Sequence, residues 1–338
     1  MNQSKTNVII LFLSLGVLAI FLFSSRLGTV EISWLSFREA LFHYNPENLA
    51  SVLIWDVRIP RFLLAVLAGG ALATAGQAMQ ILVRNPLADP YTMGTASGAA
   101  LFINLGLLNW LPLFFTSIYF LPVWGFAGAL LSSFLVLLLV SGAKRVENTT
   151  ILLVGVAISI LANSLLSLLT FWASRQFEVR QMLYWTFGNL DKANWQSVGI
   201  ASVLILVGFV ALFFNSGTWN LILLGDDKAA SLGVNVRSSK RNLLLISSLL
   251  TATVVCFVGP IGFVGLVVPY WVRHLRPITH RSFWPLTFLV GAVFLSLCDL
   301  VSRIVFQPFG LPIGLITSLV GVPFFLYLLR DSGRRAYF

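Results

Sequence analysis

Hydrophobic residues fill 58% of the 338 positions and charged residues only 10%, well under half the roughly 25% charged fraction of soluble domains. That balance excludes an ordinary soluble protein and predicts an all-α chain that crosses a membrane many times, at about 20 residues per crossing. The net charge of +10 reads as basic loops held at the cytoplasmic face, not as a nucleic-acid partner.

The chain opens with a single lysine before an apolar run over 7–25. No small-x-small cleavage site follows, and the run is long enough to span, so it reads as a retained first helix and not a secretory leader. Residues 26–60 carry Glu31, Trp34, Glu39, Glu47 and Trp55 and form a long non-cytoplasmic segment. Arg58 and Arg61 flank Ile59-Pro60 at the outer end of the second span, 61–83. Together with Arg303, near the outer end of the ninth span, they predict a basic patch for an acidic partner outside. Within the second span Gly69, Ala73 and Gly76 keep one face small for close helix packing. Thr74, Gln77 and Gln80 recur every three residues. Such groups are costly in lipid, so they either knit helices together or line a pathway.

"RNPLADPYTMGTASGAA", 84–100, then interrupts the apolar pattern. Pro86 and Pro90 stop one helix and start another, since neither donates a backbone hydrogen bond and each restricts its predecessor. The third span, 93–109, is too short for an ordinary straight crossing and is predicted to be a partial span buried in protein. The fourth covers 113–142. The fifth, 150–172, carries Ser159, Asn163, Ser167 and Thr170 at i, i+4, i+8 and i+11, one helix face. That row either lines a route for a polar solute or joins two helices. The aromatic, amphipathic stretch 173–194 reads as an interfacial or re-entrant helix.

After the sixth span, 195–215, comes the longest cytoplasmic segment, 215–241. Asp226, Asp227 and Lys228 precede Ala229, Ala230 and Leu232, and Gly233 breaks the segment. Two short amphipathic helices with a turn between them are expected, with charges beside apolar residues as in a docking surface. The seventh span is 242–259. Gly259, Pro260, Gly262 and Gly265 then permit a helix break at membrane depth before a short eighth span, 261–273. The ninth and tenth spans are 283–305 and 311–330. Ten crossings place both termini on one side. The bias of Lys and Arg toward the termini and the loops near 84–92, 143–149, 216–241 and 274–282 makes that side cytoplasmic.

Cys256 and Cys298 lie in apolar runs and read as core residues. His274 and His280 read as loop residues, so no metal site is expected. No G-x-x-x-x-G-K-[ST] loop occurs, nor a catalytic constellation. The chain is expected to be a transport subunit and not an enzyme, with ATP and Mg used by a separate chain.

Five stretches in order resemble one family: "RIPRFLLAVLAGGALATAGQAMQILVRNPLADPYTMGTASGAA" (58–100), "RQMLYWTFGNL" (180–190), "LGDDKAASLGV" (224–234), "GPIGFVGLVVPYWVRHL" (259–275) and "LPIGLITSLVGVPFFLYLL" (311–329). The sequence is similar to the permease subunit of type II ABC importers, the group handling iron-siderophores, vitamin B12 and haem. The resemblance implies a vitamin-B12-permease-like fold of about ten transmembrane helices in a single domain, 1–338, in the inner membrane. It implies a second permease copy, as a homodimer or close heterodimer, around a central path. Two cytoplasmic ATPases would dock on a coupling loop at about 219–240, through Gly225, Asp226, Asp227, Ala230, Leu232 and Gly233. A periplasmic or lipoprotein binding protein would dock at Arg58, Arg61 and Arg303. A cytoplasmic gate would include Asn85, Leu87, Asn148 and Thr149. Pro269-Tyr270, Gly310 and Pro277 depart from the family's usual residues. Ferric siderophore is the first substrate reading, with B12 or haem as alternatives. The rival class, an ion-coupled secondary transporter, would need an intramembrane ionisable site, for which Asp299 is the nearest candidate. A purely structural membrane subunit is the other rival, and the 159–170 row speaks against it.

Overall fold

The computed structural model describes residues 3–28, 30–108, 110, 120–141, 148–173, 185–275, 281–305 and 310–331. Side chains are described for these except at 3–5, 141, 148–149, 328–329 and 331. Ten membrane elements follow one another. They are α1 (Gln3–Arg26), α4 (Ile59–Val83), α5 (Thr95–Leu107), α6 (Leu121–Ser141), α7 (Asn148–Trp172), α8 (Trp195–Phe214), α11 (Val236–Val258), α12 (Val264–Leu275), α13 (Phe283–Val305) and α14 (Ile313–Asp331). Between them lie α2 (Trp34–Phe42), α3 (Leu49–Val52), α9 (Ser216–Leu223) and α10 (Asp226–Ser231). Among the described residues seven helices are long and apolar enough to cross a membrane. The shorter α5, α12 and α14 complete the set. A π-helical turn, Leu53–Arg58, runs α3 directly into α4, so the second span starts earlier than the sequence pattern placed it.

Helix α4 is the central element, buried along nearly its whole length. Its glycines explain how it gets there. A Cβ on Gly69 would lie 2.2 Å from the Gly291 carbonyl oxygen of α13, and one on Gly76 would lie 2.0 Å from the Gly265 carbonyl oxygen of α12. Backbones can approach this closely only where side chains are missing. The polar groups of α4 are consumed inside the protomer. The Thr74 hydroxyl donates to Gly70 and Ala71 carbonyls at 2.8 and 3.0 Å. Ser247 of α11 donates to the Ala75 carbonyl at 3.0 Å.

The two short spans have one geometric cause. Arg84, with φ +53, ends α4, but the chain does not stay at that face. Asp89 accepts from the Tyr91 amide at 2.8 Å and caps a 3-10 turn, Pro90–Met93. The Pro90 ring lies 2.9 Å from a Cβ placed on Gly265, whose other neighbours are Leu72 and Gly76. Gly76 is seven residues inside the end of α4, about 10 Å at 1.5 Å per residue. The 84–94 segment therefore dips into the bundle, and α5 has only the remaining depth to cross. At the other break, Gly259 (φ +80) ends α11 and the chain returns extended before α12 starts beside Gly76. The two irregular segments meet: the Ile261 amide donates to the Tyr91 hydroxyl at 3.0 Å. Backbone that leaves helical geometry at membrane depth is tolerated because protein surrounds it. This is the partial-span arrangement expected at 93–109 and 261–273.

The bundle has two ends. The Arg84 end of α4 lies with the start of α11 and with α9 and α10. At the opposite end Arg58, Arg61 and Arg303 cluster where α1 finishes.

Gly76→Val places a branched side chain where even a Cβ would overlap the α12 backbone. Its expected cost is at or above the roughly 1–3 kcal/mol of ordinary overpacking, read as a lowered Tm and lower folded yield in detergent. Gly199→Ala on α8, where nothing lies within 4 Å, should change stability by less than about 0.5 kcal/mol.

Candidate functional site

At the end where α1 finishes, the three predicted arginines come together but do not form an open basic patch. Arg58 is 6% exposed. It donates to the Ser25 carbonyl at 2.6 Å and to the Val30 carbonyl. Arg61 holds Asp299 at 2.9 Å and also Asp191. Arg303 holds the other oxygen of Asp299 at 3.1 Å and donates to Ser24. The expectation of an exposed patch is corrected: these side chains pin α1, α4, α13 and the 188–191 loop to one another. A charge taken out of water has to find partners, and here they come from segments distant in sequence. Asp191 and its neighbour Asn189, which bonds it at 2.7 Å, carry no motif pointing to this role. Asp299 was read only as a possible ion site. It is 1% exposed and sits between two guanidinium groups, so it is committed to structure.

The first polar row is corrected as well. Thr74, Gln77 and Gln80 are fully buried within this single chain. Gln80 donates to the Gly265 carbonyl at 3.3 Å and accepts from Arg273 of α12. These residues knit α4 into the bundle and do not line a surface. Gln77 is buried with neither side-chain polar atom bonded.

The second row behaves differently. Asn163 and Ser167 are exposed, and Ser159 and Thr170 partly so. The Ser159, Ser167 and Thr170 hydroxyls each donate to the carbonyl four residues earlier at 2.9 Å. That removes their cost in an apolar setting. α7 also exposes Leu153, Ile160, Leu161, Leu168 and Phe171. It therefore presents a mixed face outward from the protomer.

At the Arg84 end, Asp226 is the tie point. It accepts from Lys240 at 2.6 Å and Arg84 at 3.0 Å. Lys240 is only 6% exposed, so this carboxylate fastens α10 to α4 and α11. Asp227, Ala230, Leu232 and Gly233 are exposed. Leu224 at 54% and Leu232 at 59% form an apolar tip. Gly225 and Gly233, at φ +110 and +85, bracket α10 in the conformation that favours glycine. The predicted pair of short helices is present as α9 and α10. Within the expected docking set, Asp226 is turned inward and the leucines outward.

Near the same end Asn85 accepts from the Leu87 amide at 2.9 Å. Leu87 packs against Leu266, Val267 and Tyr270. Asn148 and Thr149 begin α7, and their side chains lie outside the described residues. So do residues 174–184 of the expected 173–194 helix, and Pro277.

A bundle pinned at one end by an ion cluster, with an apolar-tipped hairpin rigidly fixed at the other, is built to pass movement between the two faces of a membrane. That is the class of a multi-pass transport permease, a transport component and not an enzyme. The chain belongs to the FecCD transport family, whose model matches residues 16–331. It is 39% identical over 329 residues to the hemin transport system permease protein HmuU of Yersinia pestis, covering 96% of this chain and 97% of that one. It is 34% identical to the Fe(3+) dicitrate transport system permease protein FecD of Escherichia coli, covering 95% and 98%. It is 38% identical to the cobalamin import system permease protein BtuC of Halobacterium salinarum, covering 86% and 76%. A solved inward-facing structure of a metal-chelate type ABC transporter superposes with a TM-score of 0.85 at 28% identity, covering 96% of this chain and 99% of that one. The chain is a permease subunit of an ABC importer.

Asp299→Asn should leave Arg61 and Arg303 short of a buried partner and cost about 3–5 kcal/mol, seen as a large fall in Tm. Asp191→Asn, at a side chain 53% exposed, should cost less than about 1 kcal/mol.

Proposed function

We propose that this chain imports a metal chelate, with ferric siderophore as the first substrate and haem as the second. The apolar-tipped hairpin carries the reading. Leu224, Ala230 and Leu232 point away from the bundle, while Asp226 ties the same hairpin to α4 and α11. A soluble ATPase seated on those leucines would move α4 and α11 with it, because the tie is an ion pair to each helix. Differential affinity of the ATPase pair for two packings of the bundle then supplies the free energy of alternating access. ATP and Mg belong to that partner.

The outward face of α7 goes to a second permease copy. Its small polar groups and apolar neighbours, exposed in one chain, would enclose a wide and weakly binding path between two chains. Asn85 and Leu87 would narrow that path at the ATPase end, with Asn148 and Thr149 on the same side. The hairpin end is then cytoplasmic, as are both termini. The ion-cluster end receives cargo from a periplasmic or lipoprotein binding protein. Because Arg58, Arg61 and Arg303 are committed internally, docking there would use the surface that they shape and not their free charge. The relative named for hemin, at 39% identity, keeps haem as the second reading. An ion-coupled mechanism is disfavoured because Asp299 is already neutralised by two arginines.

The double variant Leu224→Glu/Leu232→Glu should keep its membrane level and lose ATP-driven chelate uptake by at least about tenfold, the loss set by about 1.4 kcal/mol or more of docking energy. Uptake of a ferric siderophore, haem and cobalamin is measured in vesicles carrying the ATPase and the cognate binding protein. Unchanged uptake and unchanged ATPase capture would remove the docking assignment. Haem or cobalamin uptake without siderophore uptake would replace the first substrate.

A further inference from the structure

A cavity of about 1110 Å³ opens between α6, α7 and α11 beside the α10 hairpin. It is larger than the about 300–1,000 Å³ of small-molecule sites, and its lining is divided by depth. Its inner wall is apolar: Phe134, Leu137 and Leu138 of α6, Ile151 of α7, and Leu244 and Leu245 of α11. Phe134 lies seven residues before the end of α6 and Leu245 nine after the start of α11, so the wall reaches about 10–14 Å into the bundle. Phe134, Leu138 and Leu245 are also exposed sideways, at 56%, 53% and 44%. The cavity therefore opens toward the hydrocarbon. Its mouth is charged: Arg237, Lys240 and Arg241 line it with a single carboxylate, Asp226. Asp226 is already shared between Lys240 and Arg84. Arg237 and Arg241 stand at i and i+4 on α11, so they share one face.

The geometry points to a binding site for one anionic phospholipid, with its phosphate between Arg237 and Arg241 and its acyl chains along α6 and α11. Three observations meet in that occupant. The mouth has two more cations than anions, which attracts a negative headgroup at a membrane surface. The wall behind it is apolar and long enough for acyl chain, which a free phosphate or nucleotide would leave unfilled. The side opening faces lipid, and the wall lies too deep for a soluble protein to reach. The bound lipid would brace the start of α11, the helix that Asp226 ties to the hairpin. It would thereby make the stability of the coupling end depend on membrane composition.

The test uses the full chain purified in a neutral detergent and exposed to equal amounts of phosphatidylglycerol and phosphatidylcholine with identical acyl chains. Lipid retained after washing is counted by native mass spectrometry. Phosphatidylglycerol should be retained at least about tenfold over phosphatidylcholine, the ratio two basic side chains near an anionic headgroup supply. Arg237→Gln/Arg241→Gln should erase that preference while keeping the elution profile of the folded chain. Leu245→Trp, at a partly exposed wall position, should lower retention of both lipids and leave the preference in place. Equal retention of the two lipids by the unaltered chain overturns the site, as does a preference that survives the double arginine change. Displacement of the lipid by free glycerol 3-phosphate would reassign the mouth to a soluble phosphate. Competitive displacement by the ATPase would reassign the cavity to the soluble partner.

Discussion

The close backbone approach of α4 to α12 and α13 sets the rest of the architecture. At Gly76–Gly265 and Gly69–Gly291 the helices meet without intervening side chains. In lipid there is little hydrophobic gain from bringing two apolar helices together, so van der Waals contact and hydrogen bonds have to supply the association. Glycine pairs bring whole backbones into that contact. They also place α4 where its polar groups can bond neighbours, as Gln80 does with the Gly265 carbonyl. With α4 fixed at the centre, the short α5 and α12 become possible. Each is preceded by irregular backbone that α4 and its neighbours shield, and the Tyr91–Ile261 hydrogen bond joins the two breaks.

The charged residues act as fasteners at the two ends. Asp299 joins α13 to α4 through Arg61, and Arg303 links α13 to α1 through Ser24. Asp226 joins the hairpin to α4 and α11. Buried pairs are weak evidence for added stability, because desolvation consumes much of the Coulomb gain. Their use here is registry. An unpaired charge in either place is costly, so alternative alignments of the helices are penalised. A transporter that rocks between two packings needs such fixed points, since movement at the hairpin reaches the bundle only through parts that do not slip.

The two polar rows show how one pattern serves two ends. Thr74, Gln77 and Gln80 recur on a helix surrounded by others, and their bonds turn inward. Ser159, Asn163, Ser167 and Thr170 recur on a helix with only one side against the protomer. Three of them bond their own backbone, so the row can face a partner or a passing solute at small cost. Neighbouring helices, not spacing along the chain, decide which outcome a row has.

The sequence by itself determined the span count, the two short spans, the small face of α4 and the hairpin bracketed by Gly225 and Gly233. These depend on local constraints: apolar length, proline and glycine conformation, and the absence of a Cβ. The motif stretches also carried the family. Only the tertiary structure decided what the charges do. Arg61 finds Asp299 and Asp191 across 238 and 130 residues of chain, and Asp226 finds Arg84 across 142. No periodicity encodes such pairings, so arginines that read as a patch became a pinned cluster. The acid read as a docking contact became the anchor behind exposed leucines. A side chain's partner in a bundle is set by which helices lie beside its own, and that order is a property of the packed whole.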